Sequence, residues 1–287
     1  MDPNSTIRRY ELPTPGAAAE SLFRRGWVPE APRASVLLVH GFGEHSGRYE
    51  HVGRWLAERG FAVHAYDHLG HGRSSGIRCH VERFDQYLDD LALVLEAVRK
   101  DAPGLPVLLI GHSMGGLIVA SFARERRPDV RGLVLSGAAL AVAAGRTRFQ
   151  MWLARGLRSI APRLSMASGL DLDGLASDPK VLEAYLADPL VERKLTVSLA
   201  AELMGAVERT APRGADIALP LLAMHGSDDT LTSASGSEQF AAAAPRGRFV
   251  LYPGLRHEIF NEPSYERVLG DAAAFFDELL ATPPDPA

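Results

Sequence analysis

Gly111-His112-Ser113-Met114-Gly115 sets a serine between two glycines, after the apolar run Leu105 to Ile110 and before the helical LIVASFARER. Strand, tight turn and helix in that order force the serine into a strained backbone conformation that only small neighbours permit. The strain lifts the hydroxyl off the sheet edge, and the positive end of the helix faces any oxyanion that develops. A serine hydroxyl is a poor nucleophile unless a base takes its proton, and histidine titrates near neutrality. The chain has 10 histidines. His40, His112 and His225 sit at strand ends or inside motifs, where structural roles are common. His257, in Tyr252-Pro-Gly-Leu-Arg-His-Glu, lies between the last strand and the last helix. The chain order serine, acid, histidine thus selects His257 as general base and requires an acid after a late strand. His225-Gly-Ser-Asp228-Asp229-Thr supplies two adjacent aspartates, of which only one can point inward. Oxyanion donors in such a site are backbone amides, here those of Met114 and of Phe42 in the loop His40-Gly-Phe-Gly43. Together these groups imply acyl transfer to Ser113 followed by hydrolysis, chemistry that needs no cofactor.

The elements that must hold them are legible in the hydrophobic pattern. Ser35 to His40, Phe61 to Tyr66, Leu105 to Ile110, Gly132 to Ser136, Leu219 to Met224 and Arg248 to Tyr252 are nearly continuous apolar runs. Such runs suit parallel strands covered on both faces. Amphipathic segments lie between them: Tyr49 to Arg59, Phe84 to Arg99, Gly115 to Arg127 and Tyr265 to Leu280. Their alternation predicts βαβ units in an α/β fold, with two antiparallel strands added near Arg8 to Leu12 and Glu20 to Trp27. The alternation breaks between Ser136 and Leu219, where the pattern is helical (Gln150 to Ile160, Leu195 to Glu208) and no strand is expected. An insertion at that point of an α/β fold reads as a cap over the ligand end. The expected division is 1–139 and 213–281 for the α/β core, 140–212 for the cap and 282–287 for a disordered Pro-rich tail.

The bulk numbers exclude several classes. At 287 residues, 46% hydrophobic and 23% charged, the chain has the composition of a globular domain. A formal charge of −4 gives no electrostatic reason to expect nucleic acid as a partner. The lone cysteine, Cys79, rules out an intrachain disulfide, and nothing marks it as reactive. Met1 to Tyr10 lacks the pattern of a signal peptide and no run is long enough to span a membrane, so a cytoplasmic location is expected. His64-x-x-Asp67-His68-x-x-His71 has metal-ligand residue types at close spacing, but Gly70-His-Gly72 reads as a tight turn that Asp67 and His68 brace.

Three stretches now carry a specific resemblance: His40-Gly-Phe-Gly-Glu-His-Ser-Gly-Arg-Tyr49, Asp67-His-Leu-Gly-His-Gly-Arg-Ser-Ser-Gly76, and Pro103 through Ser113 to Gly116. With Asp188-Pro-Leu190 in the insertion, the chain resembles the monoglyceride lipase family, in the lysophospholipase-like group of α/β hydrolases. The resemblance implies an α/β-hydrolase fold with a helical cap. It also implies cleavage of monoacylglycerol to glycerol and fatty acid, a lysophospholipase or general carboxylesterase being the alternative. The family acid falls three residues after the glycine of a His/Gln-Gly-x-x-Asp stretch, which is Asp229. Glu44 and Arg48 match positions that organise the oxyanion loop and the polar end of the pocket, and Tyr185 matches a cap tyrosine near the glycerol group. Departures stand at Phe42, where mammalian members have alanine, and at Phe260, where they carry a second histidine. Family caps also face membranes. Phe149, Met151, Trp152, Leu153 and Leu157, interleaved with Arg146, Arg148, Arg155 and Arg158, suit either an anionic membrane surface or closure of the pocket.

Overall fold

The computed structural model describes residues 7–16, 20–141 and 154–282. Ala34–Val39 (β3), Phe61–Asp67 (β4), Val107–His112 (β5), Gly132–Ser136 (β6) and Leu221–Gly226 (β9) are buried along their whole length. With Gly247–Tyr252 (β10) they pair in parallel, and Arg8–Pro15 (β1) and Ser21–Val28 (β2) add antiparallel strands at the β4 edge. The sheet of eight strands runs β1-β2-β4-β3-β5-β6-β9-β10.

Alternation along each strand divides the core in two. On β3, Leu37 and Val39 pack under Asp85–Asp101 (α2) and Met114–Arg126 (α3), while Val36 and Leu38 pack against Glu50–Ala57 (α1) and the last helix, Tyr265–Ala281. Crossing helices on both faces leave the carboxyl ends of the parallel strands as the open edge, where loops can gather a site.

The segment between β6 and β9 departs from the expected all-helical reading. Ser165–Ala167 (β7) and Lys194–Thr196 (β8) pair antiparallel, with Met166 opposite Leu195. Three-residue strands are too short to display a period, and their pairing depends on chain that is remote in sequence. Pro179–Ala187 (α4) lies between them. Val197–Thr210 (α5) starts two residues later than its pattern suggested, because Leu195 belongs to the ladder and the Thr196 hydroxyl caps the helix at the Leu199 amide. Ala234–Ala243 (α6) then returns the chain to β10. Of the helix expected over 150–160, residues 154–157 are helical; 150–153 lie outside the described residues, as do Phe149, Met151, Trp152, Leu153, Arg146 and Arg148 and the tail beyond Thr282. No helix among the described residues is long and apolar enough to cross a membrane.

The histidine-rich turn after β4 is occupied as a brace. His68 donates from Nε2 to the His40 carbonyl (2.9 Å), and His71 donates from Nδ1 to the Leu69 carbonyl (3.0 Å). Asp67 accepts from the Ser46 amide (2.8 Å) and the Arg73 amide (2.8 Å), tying the loops after β3 and β4 together. His64 points elsewhere, to the Tyr10 hydroxyl at 2.5 Å. Among the described residues no cluster is placed to hold a metal ion.

Burial makes these imidazoles hard to protonate, and the consequence is measurable. Desolvation pushes His64 and His71 down to about 4, and His68 to about 3. The unfolded chain takes up protons below about 6.5 while the folded chain refuses them, so this stability is complete above 6.5 and is lost as pH falls toward 4. Each histidine withdraws on the order of 1 kcal/mol per pH unit over that window. Urea midpoints are expected to fall steadily as the pH is lowered from 6.5 to 5; a flat profile over that span would contradict neutral burial.

Candidate active site

Ser113 stands at the carboxyl end of β5 with φ 53° and ψ −117°, one of three non-glycine residues with positive φ among those described. The neighbours explain why the turn tolerates nothing larger. A Cβ on Gly115 would sit 2.1 Å from the Val39 carbonyl oxygen, and one on Gly111 would sit 2.5 Å from that of Gly115. The elbow is pinned through its own backbone, the Ser113 amide donating to Ser136 O (2.9 Å) and the Ser113 carbonyl accepting from Ala139 (3.0 Å). Met114 is the first residue of α3, so its amide is one that no helical carbonyl can reach. The same Gly-x-Ser-x-Gly spacing recurs at Gly72-Arg-Ser74-Ser-Gly76, but Ser74 is buried, donates to the Asp67 carbonyl (2.5 Å) and accepts from the Phe23 amide (2.9 Å). No strand–helix elbow presents it.

Asp229 reaches His257 and Asp228 does not. The loop after β9 turns the Asp229 side chain fully inward, where its Oδ2 lies 2.7 Å from His257 Nδ1. Asp228 is exposed and accepts from the neighbouring Ser227 hydroxyl at 2.7 Å. Asp229 also accepts from His225 Nε2 (2.9 Å), the Thr232 hydroxyl (2.8 Å) and the Leu231 and Thr232 amides (2.8 and 2.9 Å). Burial favours a neutral Asp229 carboxyl, but His257 and these donors outweigh it and hold the group well below the usual carboxylate range. Burial likewise opposes a charged His257, yet the Asp229 carboxylate prevails and raises it above 6.5. With Nδ1 committed to Asp229, Nε2 is the ring nitrogen left for proton transfer.

The remaining expected residues gather around the oxyanion loop. Glu44, 3% exposed, accepts from the Gly41 amide (2.6 Å), the Tyr49 hydroxyl (2.7 Å) and Arg48 (2.9 Å), which shapes the turn carrying Phe42. Tyr185 of α4 is buried with its ring 4.9 Å from the Arg48 guanidinium. Ser113, His257, Phe42, Met114, Glu44 and Tyr185 line one cavity, whose empty volume with its mouth is about 940 Å³. Its far wall is apolar and comes from the segment between β6 and β9: Met166, Leu170, Leu195, Ala200, Leu203 and Val207 among others. Phe260 is not there; it is buried in the opposite core layer with Phe276 and Tyr252.

A family model described as serine aminopeptidase, S33 matches residues 30–264. A monoacylglycerol lipase of Mycolicibacterium smegmatis is 37% identical over 253 residues, covering 87% of this chain and 90% of that one. The chain is a hydrolase of the monoglyceride lipase family. Phospholipase YtpA of Bacillus subtilis is 33% identical over 262 residues, covering 88% of this hydrolase and 99% of the relative. The crystal structure of the Paleococcus ferrophilus monoacylglycerol lipase superimposes with a TM-score of 0.79 at 31% identity, covering 91% and 98% of the two chains. The mostly parallel sheet with its antiparallel edge is thus the α/β-hydrolase fold.

Several groups in this hydrolase's site carry no sequence signature. Thr232 holds Asp229 from a position with no diagnostic spacing, and His225, the first residue of the His-Gly-x-x-Asp stretch, holds it too. Glu258, next to His257, grips Arg48 in a two-pronged pair (2.6 and 2.7 Å), a contact invisible before the loops after β3 and β10 meet. The segment between β6 and β9 is laced to the same loop. The His257 and Glu258 amides donate to Gly174 O (3.1 Å) and Leu175 O (2.7 Å), and Arg256 donates to Asp173 O (2.6 Å). Buried Glu262 accepts from the Ser177 and Arg256 amides (3.1 and 2.9 Å). Farther along, the Glu192 amide donates to Gly43 O (2.7 Å) and Asp188 pairs with His45 (2.9 Å). The segment between β6 and β9 therefore touches both the loop carrying His257 and the loop after β3.

Proposed function

We propose that this hydrolase cleaves monoacylglycerols to glycerol and fatty acid through an acyl-enzyme on Ser113. His257 Nε2 takes the Ser113 proton as the hydroxyl attacks the ester carbonyl. The Phe42 and Met114 amides receive the tetrahedral oxyanion, each worth on the order of 10²–10³ in rate. His257 then protonates the departing glycerol oxygen and activates the water that releases the fatty acid. Asp229 keeps the imidazole tautomer and offsets the imidazolium charge without taking the proton. We propose residues 140–212 as a cap that closes the acyl pocket, because the apolar wall of the cavity comes from that span.

The observation that carries the substrate reading is the division of the cavity: an apolar wall for a single acyl chain, and a polar end at Glu44 and Tyr185. That end suits a small head rich in hydroxyls. The test is a hydrolysis panel with monoacylglycerols of several chain lengths, diacylglycerol, lysophosphatidylcholine and p-nitrophenyl esters. Monoacylglycerol is expected to give the highest kcat/KM; faster turnover of lysophospholipid would favour the phospholipase reading, which the Bacillus subtilis relative supports. Exposed Ile160 and Leu164, 81% and 55% accessible beside Arg163, support peripheral membrane contact through the cap. Running the panel on substrate in anionic vesicles tests this, since unchanged vesicle binding by Ile160→Asp would remove that role.

A further inference from the structure

We propose that Glu258 is a positioning residue that fixes the general base and the oxyanion loop at one spacing. The inference rests on the triad reading above and extends it to a residue outside the triad. Glu258 and Glu44 are each 3% exposed, and the Arg48 side chain between them is 10% exposed. Arg48 Nη1 and Nη2 donate to the two Glu258 carboxylate oxygens at 2.6 and 2.7 Å, and Nη1 also donates to Glu44 at 2.9 Å. Glu44 in turn holds the Gly41 amide at 2.6 Å. An unbroken line of charge-assisted bonds thus runs from the residue before Phe42 to the residue after His257. Those are the two loops whose separation the reaction depends on.

Stability alone is a weak reason for this arrangement. Desolvating two carboxylates and a guanidinium is costly, and buried charged triads are often replaceable by apolar residues without loss of stability. What the line supplies is fixed geometry: a shift near 1 Å in such a site can cost about 10²-fold in rate.

The charge has a second effect, on the base itself. The groups facing His257 are Asp229 from the loop after β9, with His225 behind it; His112 from β5, its ring 4.8 Å away; and Glu258 and Glu44 from the two loops. Arg48 offsets the two glutamates. Burial opposes ionisation of both, but Arg48 holds Glu258 below the ordinary range, whereas Glu44, beside Glu258, is raised. The field of the Glu258 carboxylate, next in sequence to the base, supports the imidazolium that forms during attack.

Glu258→Gln and Glu258→Ala decide the matter, with kcat and KM measured per active site titrated by a fluorophosphonate, from pH 5 to 9. Glu258→Gln, which keeps the shape, is expected to move the acid limb of kcat/KM down by roughly half a pH unit, the remainder of a carboxylate field mostly offset by Arg48. Glu258→Ala is expected to lower kcat by about 10- to 100-fold with little change in KM, and Gln is expected to recover most of that loss. If both variants keep the wild-type kcat per titrated site and an unmoved acid limb, whatever their melting temperatures, the proposal is overturned. Should Glu258→Ala fail to fold, the acid limb of Glu258→Gln alone decides. Failure of the wild-type protein to react with the probe would instead sink the triad reading.

Discussion

Ser113→Ala is expected to lower kcat by on the order of 10⁶ while leaving the protein folded and able to bind substrate. The size follows from the mechanism. Without the hydroxyl no acyl-enzyme forms, and what remains is the modest help that the oxyanion amides give to direct attack by water. Folding should survive because Ser113 is held by its backbone bonds to Ser136 and Ala139. Alanine also tolerates the strained φ about as well as serine does. The measurements are p-nitrophenyl ester hydrolysis, fluorophosphonate labelling and a melting curve. Residual activity above about a thousandth of wild type would exclude Ser113 as nucleophile.

Asp229→Asn is expected to cost about 10⁴ in kcat, less than the serine change and by a different route. The carboxylate accepts at once from His257, His225 and the Thr232 hydroxyl. An amide in its place offers two donors where the site needs acceptors, so it favours the imidazole tautomer with its proton on Nε2, which cannot take the serine proton. It also removes the charge that raises His257, so the remaining activity should show its acid limb at lower pH than wild type. Asp228→Asn, on the exposed side of the same turn, should leave both kcat and the limb unchanged; equal losses in the two variants would reassign the acid. Substrate KM should barely move in either, because neither carboxylate lines the cavity.

The strands at Ala34–Val39, Phe61–Asp67, Gly132–Ser136 and Leu221–Gly226 fall within two residues of the apolar runs that announced them. They were legible because a strand covered on both faces is apolar at nearly every position, which is a local property of the chain. The elbow at Ser113 was legible for a similar reason: Gly111 and Gly115 are demanded by backbone contacts within a few residues of the serine and by the adjacent strand. The pairing of Ser165–Ala167 with Lys194–Thr196 was not, since three residues carry no period and neither segment specifies the other.

The site divides along the same line. By itself the sequence determined the serine elbow, the loop histidine behind the last strand, the candidate acids and the α/β frame that orders them. Choosing between Asp228 and Asp229 needed the resemblance, because adjacent residues share every property of composition and spacing. The tertiary structure agrees with that choice, and it alone decided that Phe260 packs on the far side of the sheet and that Glu258 closes on Arg48. It alone decided that Gly174 and Leu175 are laced to the histidine loop. The physical reason is range. Hydrophobic periodicity and the strand–turn–helix order of the serine elbow act over a few residues and are written into each segment. The Arg48–Glu258 pair and the strap across His257 join residues far apart in the chain, whose meeting is fixed only when the sheet has brought its strand ends together.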